Sequence, residues 1–269
     1  STQKNSTYIK TQPTEDFPTL PKVSSEKSFK INPQDFIRGL KSVWYSSAVS
    51  SIKAELASVY IYCDDGGDLV FVATDSFRLA EKKIKAEKIK DFSHLLIPFK
   101  NIPEIIRVLE NVSNEVDVCV EKNQISFTYD HIYLTSRVID GVFPDYKQII
   151  PKTFTTEVVM LKQDFINSLK IANIFSNKLN QINIKALPEN KIFEIQTKNS
   201  DIGENTNNID AVFAGEDIDI NFNYKYIVDC LQSIDSESLS LNFTGINKPV
   251  VIKGVSDKSF LYLVMPMNR

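Results

Sequence analysis

The stretch Val72–Ala80, VATDSFRLA, sets a hydroxyl, a carboxylate and a guanidinium close together as Thr74, Asp75 and Arg78. In a hydrolytic or nucleotide-handling enzyme Asp75 would be the candidate catalytic acid. The plainer reading is a turn, because Asp and Thr side chains bond their own neighbouring backbone. Other groups able to do chemistry are sparse. His94 and His131 are the two histidines of the chain, and their contexts suit turn or surface positions, so a histidine metal centre or a Ser-His-Asp triad has almost nothing to draw on. Cys63, Cys119 and Cys230 are odd in number, far apart and without CxxC spacing; they read as buried small hydrophobes in a reducing compartment. The sequence shows no Gly-rich phosphate loop and no nucleophile elbow. No metal or cofactor is expected.

What must position these residues is a chain of 269 residues, 42% hydrophobic and 24% charged, enough for two domains with real cores. A net charge of −3 argues against a general coat of nucleic acid and leaves room for a local basic face. No apolar run reaches the length of about 18 residues needed to span a bilayer, and the polar opening STQKNSTYIKTQPTEDF does not resemble a signal peptide. The expected location is the cytoplasm, with no membrane contact.

The organisation shows in a repeat. QDFIRGLK at Gln34–Lys41 returns as QDFINSLK at Gln163–Lys170, with six of eight positions identical, and such self-similarity marks a structural unit used twice. Before the first copy stands an alternating strand, then Asn32 as N-cap and Pro33 at the first helical position. Phe36, Ile37, Leu40, Val43 and Trp44 follow at helical spacing. Strand-like stretches ASVYIYCDD, DLVFVATDS and RLAEKKIKA come next, the first two joined by a tight turn at Gly66-Gly67. The second copy supplies a strand and helix, then a hairpin QINIKALPENKIFEIQT turning at Pro188-Glu189-Asn190, which NIDAVFAG is expected to extend. Each half continues with a second helix, PFKNIPEIIRVLENV or NFNYKYIVDCLQSI, and three further strands. FPDYKQIIP (Phe143–Pro151) precedes the second unit as DFPTLP (Asp16–Pro21) precedes the first. The expected division is therefore residues 23–151 and 152–269, with 1–22 as the exit of an earlier unit.

In this frame VATDSFRLA, DGVFPDYKQIIP (Asp140–Pro151) and the closing YLVMPMNR (Tyr262–Arg269) together resemble the bacterial DNA polymerase sliding clamp, the beta subunit of the replicative polymerase, over its second and third domains. The resemblance implies an α+β fold of tandem clamp modules, two helices packed on antiparallel sheets in each, forming part of a head-to-tail ring around duplex DNA. It implies a non-catalytic processivity factor, a homodimeric ring for the full-length protein, and a separate clamp loader. Arg38, Lys41, Lys100, Arg107, Lys170, Lys178 and Lys225 flank the helices that would line the hole; ordinary solvated helix charges are the bland alternative.

The resemblance further implies a pocket between the modules for short linear motifs of polymerase subunits, the clamp loader and repair proteins. By position it carries over Leu56, Thr74, Arg78, Leu79, Pro144, Ile149, Leu179, Asn223, Tyr226, Leu263, Val264, Met265, Pro266 and Met267, to which Phe77 adds an aromatic. Two methionines suit varied apolar anchors, and Arg78, Asn223 and Tyr226 suit a peptide's polar groups. Many relatives carry Gly-His where this chain has Ser76-Phe77, and a basic residue where it has Gln148. Two other readings stand beside the clamp: an enzyme built on Asp75, and a module that captures clamp-binding peptides without encircling DNA.

Overall fold

The structure is a computed structural model that describes residues 4–16, 28–50, 52–86, 89, 92 and 94–267. Of the expected leading segment 1–22, residues 1–3 and 17–22 lie outside the described residues, as do Asn268 and Arg269.

In the first half β1 (Ser28–Ile31) leads to Asn32, whose Oδ1 accepts the backbone N–H groups of Gln34 at 2.9 Å and Asp35 at 3.4 Å. These bonds satisfy two amides that a helix start leaves unpaired, and Pro33 brings a preset φ. The result is α1 (Pro33–Val43), which buries Phe36, Ile37, Leu40 and Val43, at roughly 2 kcal/mol of transfer free energy for each. Then come β2 (Ser58–Cys63), β3 (Leu69–Thr74), β4 (Arg78–Ile84), β5 (Leu95–Pro98), α2 (Ile102–Leu109), β6 (Val116–Glu121), β7 (Gln124–Tyr129) and β8 (Ile132–Arg137). The second half repeats the plan with β9 (Thr156–Leu161), α3 (Lys162–Ile174), β10 (Gln181–Leu187), β11 (Ile192–Asn199), β12 (Gly203–Asn208), β13 (Ala211–Gly215), β14 (Ile218–Asn223), α4 (Tyr224–Leu231), β15 (Ser238–Phe243), β16 (Val250–Gly254) and β17 (Phe260–Val264). The hairpin between β10 and β11 turns at Pro188–Asn190, with Lys191 at φ 56° closing it.

The strands form antiparallel sheets in the orders β1-β6-β7-β8, β12-β11-β10-β14 and β13-β9-β15-β16-β17-β4-β3-β2-β5. The nine-stranded sheet belongs to both halves, because β17 pairs with β4, Leu263 opposite Leu79 and Val264 opposite Arg78. One expectation is corrected here: the hairpin is extended by β12, whereas the Ala211–Gly215 strand crosses to pair with β9. Short apolar runs announce a strand without naming its partner; Gly215, at φ 108° where the strand ends, lets the chain turn on toward β14.

Helices α1 and α2 pack together over the first half, α3 and α4 over the second. The Ser233 hydroxyl joins the two pairs by donating to the Ser42 carbonyl at 3.1 Å, with the Tyr45 hydroxyl 3.1 Å away. The helix layer therefore runs α2, α1, α4, α3 along one face of the sheets. Across the join the sheet is covered on both faces. Leu69, Phe71 and Ala73 of β3 face the helices, while Val70 and Val72 face the opposite way. There the linker lays Phe143 over the Tyr60 ring, 4.8 Å between centroids and 4° from parallel. The Tyr146 hydroxyl donates to Glu81 and lies 2.8 Å from that of Tyr62. Of the cysteines Cys230 is buried, whereas Cys63 and Cys119 are only partly so.

Gly39 is the tight point of α1 against the sheet, since a β-carbon there would lie 2.4 Å from the Phe71 ring. Phe71 is held edge-on by Phe36 in a filled core. Gly39→Ala should therefore destabilise by about 2 kcal/mol despite alanine's helix preference; a urea midpoint at or above wild type would refute this.

The join also carries a buried ion pair, Lys82 Nζ to Asp257 Oδ2 at 3.2 Å, with the Ser259 hydroxyl 2.7 Å from the ammonium. Burial works against the Asp257 charge, but bonds from Ser259 and Lys82 outweigh it and hold the carboxyl below its ordinary 3.8. A carboxylate with a lowered folded-state pKa contributes stability above its unfolded pKa, and this is lost as pH falls through the folded value. Asp257→Asn leaves Lys82 unpaired and should cost about 3 kcal/mol at neutral pH. Urea titrations should show that deficit shrinking once the pH drops below about 4; a deficit independent of pH would rule out the charged pair as its source.

Candidate functional site at the module junction

Asp75 settles into its turn. Its Oδ1 accepts the backbone N–H groups of Phe77 at 2.9 Å and Arg78 at 3.0 Å, and its Oδ2 accepts Arg78 Nε at 3.0 Å. The Thr74 hydroxyl accepts the Ser76 N–H at 3.2 Å and donates to the Arg78 carbonyl at 2.6 Å. A carboxylate so committed is a turn-former, which leaves the enzyme reading without its acid. The turn presents Phe77 to solvent, 61% exposed.

From Phe77 the site extends through the end of the chain. The Phe77 carbonyl accepts the Met265 N–H and the Asn221 carbonyl accepts the Met267 N–H, each at 2.8 Å. Leaving β17, the Met265-Pro266-Met267 segment thus bridges the turn before β4 of the first half to β14 of the second, and Pro266 offers no N–H of its own. Asn223 follows on β14, opposite Gln181, and its side chain caps α4 by accepting the Lys225 N–H at 2.9 Å. Leu179, 63% exposed, sits in the adjoining turn, where the Asn177 carboxamide accepts its N–H at 2.9 Å. The structure therefore draws Phe77, Met265, Pro266, Met267, Asn223 and Leu179 into one connected rim. Beneath it Leu79 and Leu263 are buried in the outer cluster, against which Met265 packs. Thr74, Leu56 and Val264 are buried as well. Pro144 and Ile149 are exposed on the linker, where Gln148 donates its amide to Asp145 at 2.8 Å.

Arg78 is the most heavily engaged member. Besides Asp75, its Nη1 donates to Asp229 Oδ2 at 2.6 Å and its Nη2 to the Tyr45 carbonyl at 2.5 Å. The Tyr226 ring lies 4.5 Å from its guanidinium carbon. Burial opposes the charge, while Tyr262, Asp229 and Asp75 favour it more strongly, so the pKa stands above the arginine norm. Asp229 and Tyr45 were missed in the sequence. The one available signal was that Asp229 falls three residues after Tyr226 on α4, hence on the same helix face.

The seven basic residues lie in or beside the helix layer, and among the described residues three of them have carboxylate partners. Arg38 pairs with Asp35 and Lys41 with Glu110, both at 2.7 Å, and Arg107 pairs with Glu104. Lys100, Lys170, Lys178 and Lys225 are exposed.

The comparisons with known proteins agree along almost the whole chain. Residues 30–145 match the DNA polymerase III beta subunit central domain, and residues 147–268 match its C-terminal domain. The chain belongs to this family. It is 30% identical to the beta sliding clamp of Halalkalibacterium halodurans, covering 94% of this chain and 68% of that one, and 28% identical to that of Rickettsia bellii, covering 96% and 71%. Among solved structures, the DNA polymerase III beta subunit of Thermotoga maritima superposes with a TM-score of 0.88 at 27% identity, covering 96% of this chain and 70% of that chain. The protein thus has a DNA clamp role in replication and is a non-catalytic subunit of the polymerase. Among the described residues no helix is long and apolar enough to cross a membrane.

Ser76 carries strain at this site. Its φ of 79° costs an L-residue about 1 kcal/mol or more, partly offset by glycine's greater freedom when unfolded. Ser76→Gly should raise stability by about 0.5 kcal/mol, read from denaturant midpoints. A loss would mean that glycine's greater freedom in the unfolded chain outweighs the relief at φ 79°.

Proposed function

We propose that this clamp chain forms part of a closed ring around duplex DNA and tethers the replicative polymerase, the clamp loader and repair proteins through the junction rim. The observation that carries the ring is the β17–β4 pairing. In the repeat β8 takes the place of β17 and β12 the place of β4, and each ends its own sheet. Edge strands present unpaired backbone groups that favour further pairing, so β8 and β12 are where neighbouring modules would continue the wall. Head-to-tail addition of one module type generates a ring when the rotation closes. In the proposed ring residues 23–151 and 152–269 are two modules, 1–22 is the exit of a preceding one, and two three-module chains meet as a homodimer in the cytoplasm.

The helix layer would line the hole. Three of its seven proposed DNA-facing cations are paired with carboxylates, which keeps phosphate contacts few and independent of sequence. Once DNA is encircled, topology prevents escape and weak contacts allow sliding.

The peptide role rests on the rim. Exposed Phe77 and Leu179 beside the partly buried Met265 and Met267 make an apolar, adaptable surface flanked by a few polar groups. Fluorescence anisotropy of a labelled Gln-Leu-Xaa-Leu-Phe peptide should show micromolar binding, weakened about ten-fold by Met265→Ala or Met267→Ala. Absence of binding to the folded chain would remove the tethering role and leave the clamp fold standing.

A further inference from the structure

Arg78 stands at the rim with little left to offer a peptide. Its Nε, Nη1 and Nη2 already reach Asp75, Asp229 and the Tyr45 carbonyl, and the face of its guanidinium lies over Tyr226. Of these partners Asp229 and Tyr226 come from the second module, and Asp229 is the one that supplies a counter-charge across the junction. Its side chain is 40% exposed, against 11% for that of Arg78. The carboxylate therefore closes the guanidinium from the solvent side.

Resting on the peptide-site reading above, we infer that Asp229 is a positioning residue for the rim, acting through Arg78. The connection is short. Arg78 directly follows Phe77, its carbonyl is the acceptor of the Thr74 hydroxyl, and the Phe77 carbonyl is the acceptor of Met265. Where Arg78 sits thus sets the Thr74–Arg78 turn, the direction of Phe77 and the anchorage of the Met265–Met267 segment. Without Asp229 the guanidinium keeps Asp75 and Tyr45 of the first module and only the uncharged rings of Tyr226 and Tyr262 from the second, so it loses its ionic tie to α4. The two walls of the rim are then held together less firmly at this point. The modules themselves stay joined, because the β17–β4 backbone pairing, the Lys82–Asp257 pair and the Ser233 bonds do not involve Asp229. A site whose walls must first be aligned binds more weakly by the fraction of time they are aligned.

The test uses the full chain and the same labelled peptide. Asp229→Asn, which keeps the shape and removes the charge, should weaken binding about five-fold while unfolding remains cooperative. Asp229→Glu should recover affinity to within about two-fold of wild type. Because Asp229 acts through Arg78, adding Asp229→Asn to Arg78→Gln should weaken binding no further than Arg78→Gln alone, whereas independent roles would multiply. Wild-type affinity in folded Asp229→Asn, or multiplying effects in the double variant, would overturn the positioning role and leave the peptide site intact. Failure of the wild-type chain itself to bind would overturn the peptide site and this inference together.

Discussion

The structure turns on the unmet hydrogen bonds of a sheet edge. Strand β4 ends the sheet of the first module, and in isolation its outward N–H and C=O groups would face water or a foreign strand. Here β17 of the second module takes them, in register from Phe260 opposite Lys82 to Val264 opposite Arg78. Everything characteristic of the molecule follows from that one pairing. It merges two sheets into a nine-stranded wall, brings α1 beside α4, and lets Arg78 and Lys82 meet carboxylates of the second module. The same rule makes the chain extensible, since every module that closes one edge brings another.

Joining two modules edge to edge creates a difficulty on the outer face, where a two-sided wall would expose Val70, Val72, Leu79 and Leu263. The linker resolves it by folding back, so that Phe143 and Tyr146 cover those side chains and form a second, smaller core with them. The cover is incomplete at the end of β17, where Pro266 stops the ladder and leaves Met265 and Met267 partly open. The candidate site is therefore the place where an otherwise sealed join remains apolar and accessible, and it needs both modules to exist.

Much of this was legible in the sequence because local physics wrote it there. The cap at Asn32, the proline after it and the apolar face of α1 are short-range signals, and the repeated octapeptide carried the second module with them. The Met265–Met267 segment could be singled out because proline in a strand end has few meanings. What escaped was long-range pairing. NIDAVFAG was expected beside the hairpin it follows, yet β13 crosses to β9. Arg78 was read as a peptide handle, yet its partners Tyr45 and Asp229 lie 33 and 151 residues away. The carboxylates beside Arg38, Lys41 and Arg107 were likewise passed over, two of them sitting at ordinary helical spacing.

Those paired cations bear on how a clamp can hold DNA without gripping it. A lumen of seven free charges would strengthen binding with every counterion it displaced, and each contact would also be a barrier to movement along the duplex. In the proposed ring, neutralising Arg38, Lys41 and Arg107 with neighbouring carboxylates would lower that grip while keeping a hydrated, polar surface against the phosphates. Since exposed ion pairs add little to stability, their contribution here is better understood as tuning the field of the helix layer. On this reading a protein of net charge −3 would surround a polyanion because closure of the wall, rather than attraction, would do the holding. In the proposed ring the burden of function would accordingly shift from the charged helices to the strand edges that close it.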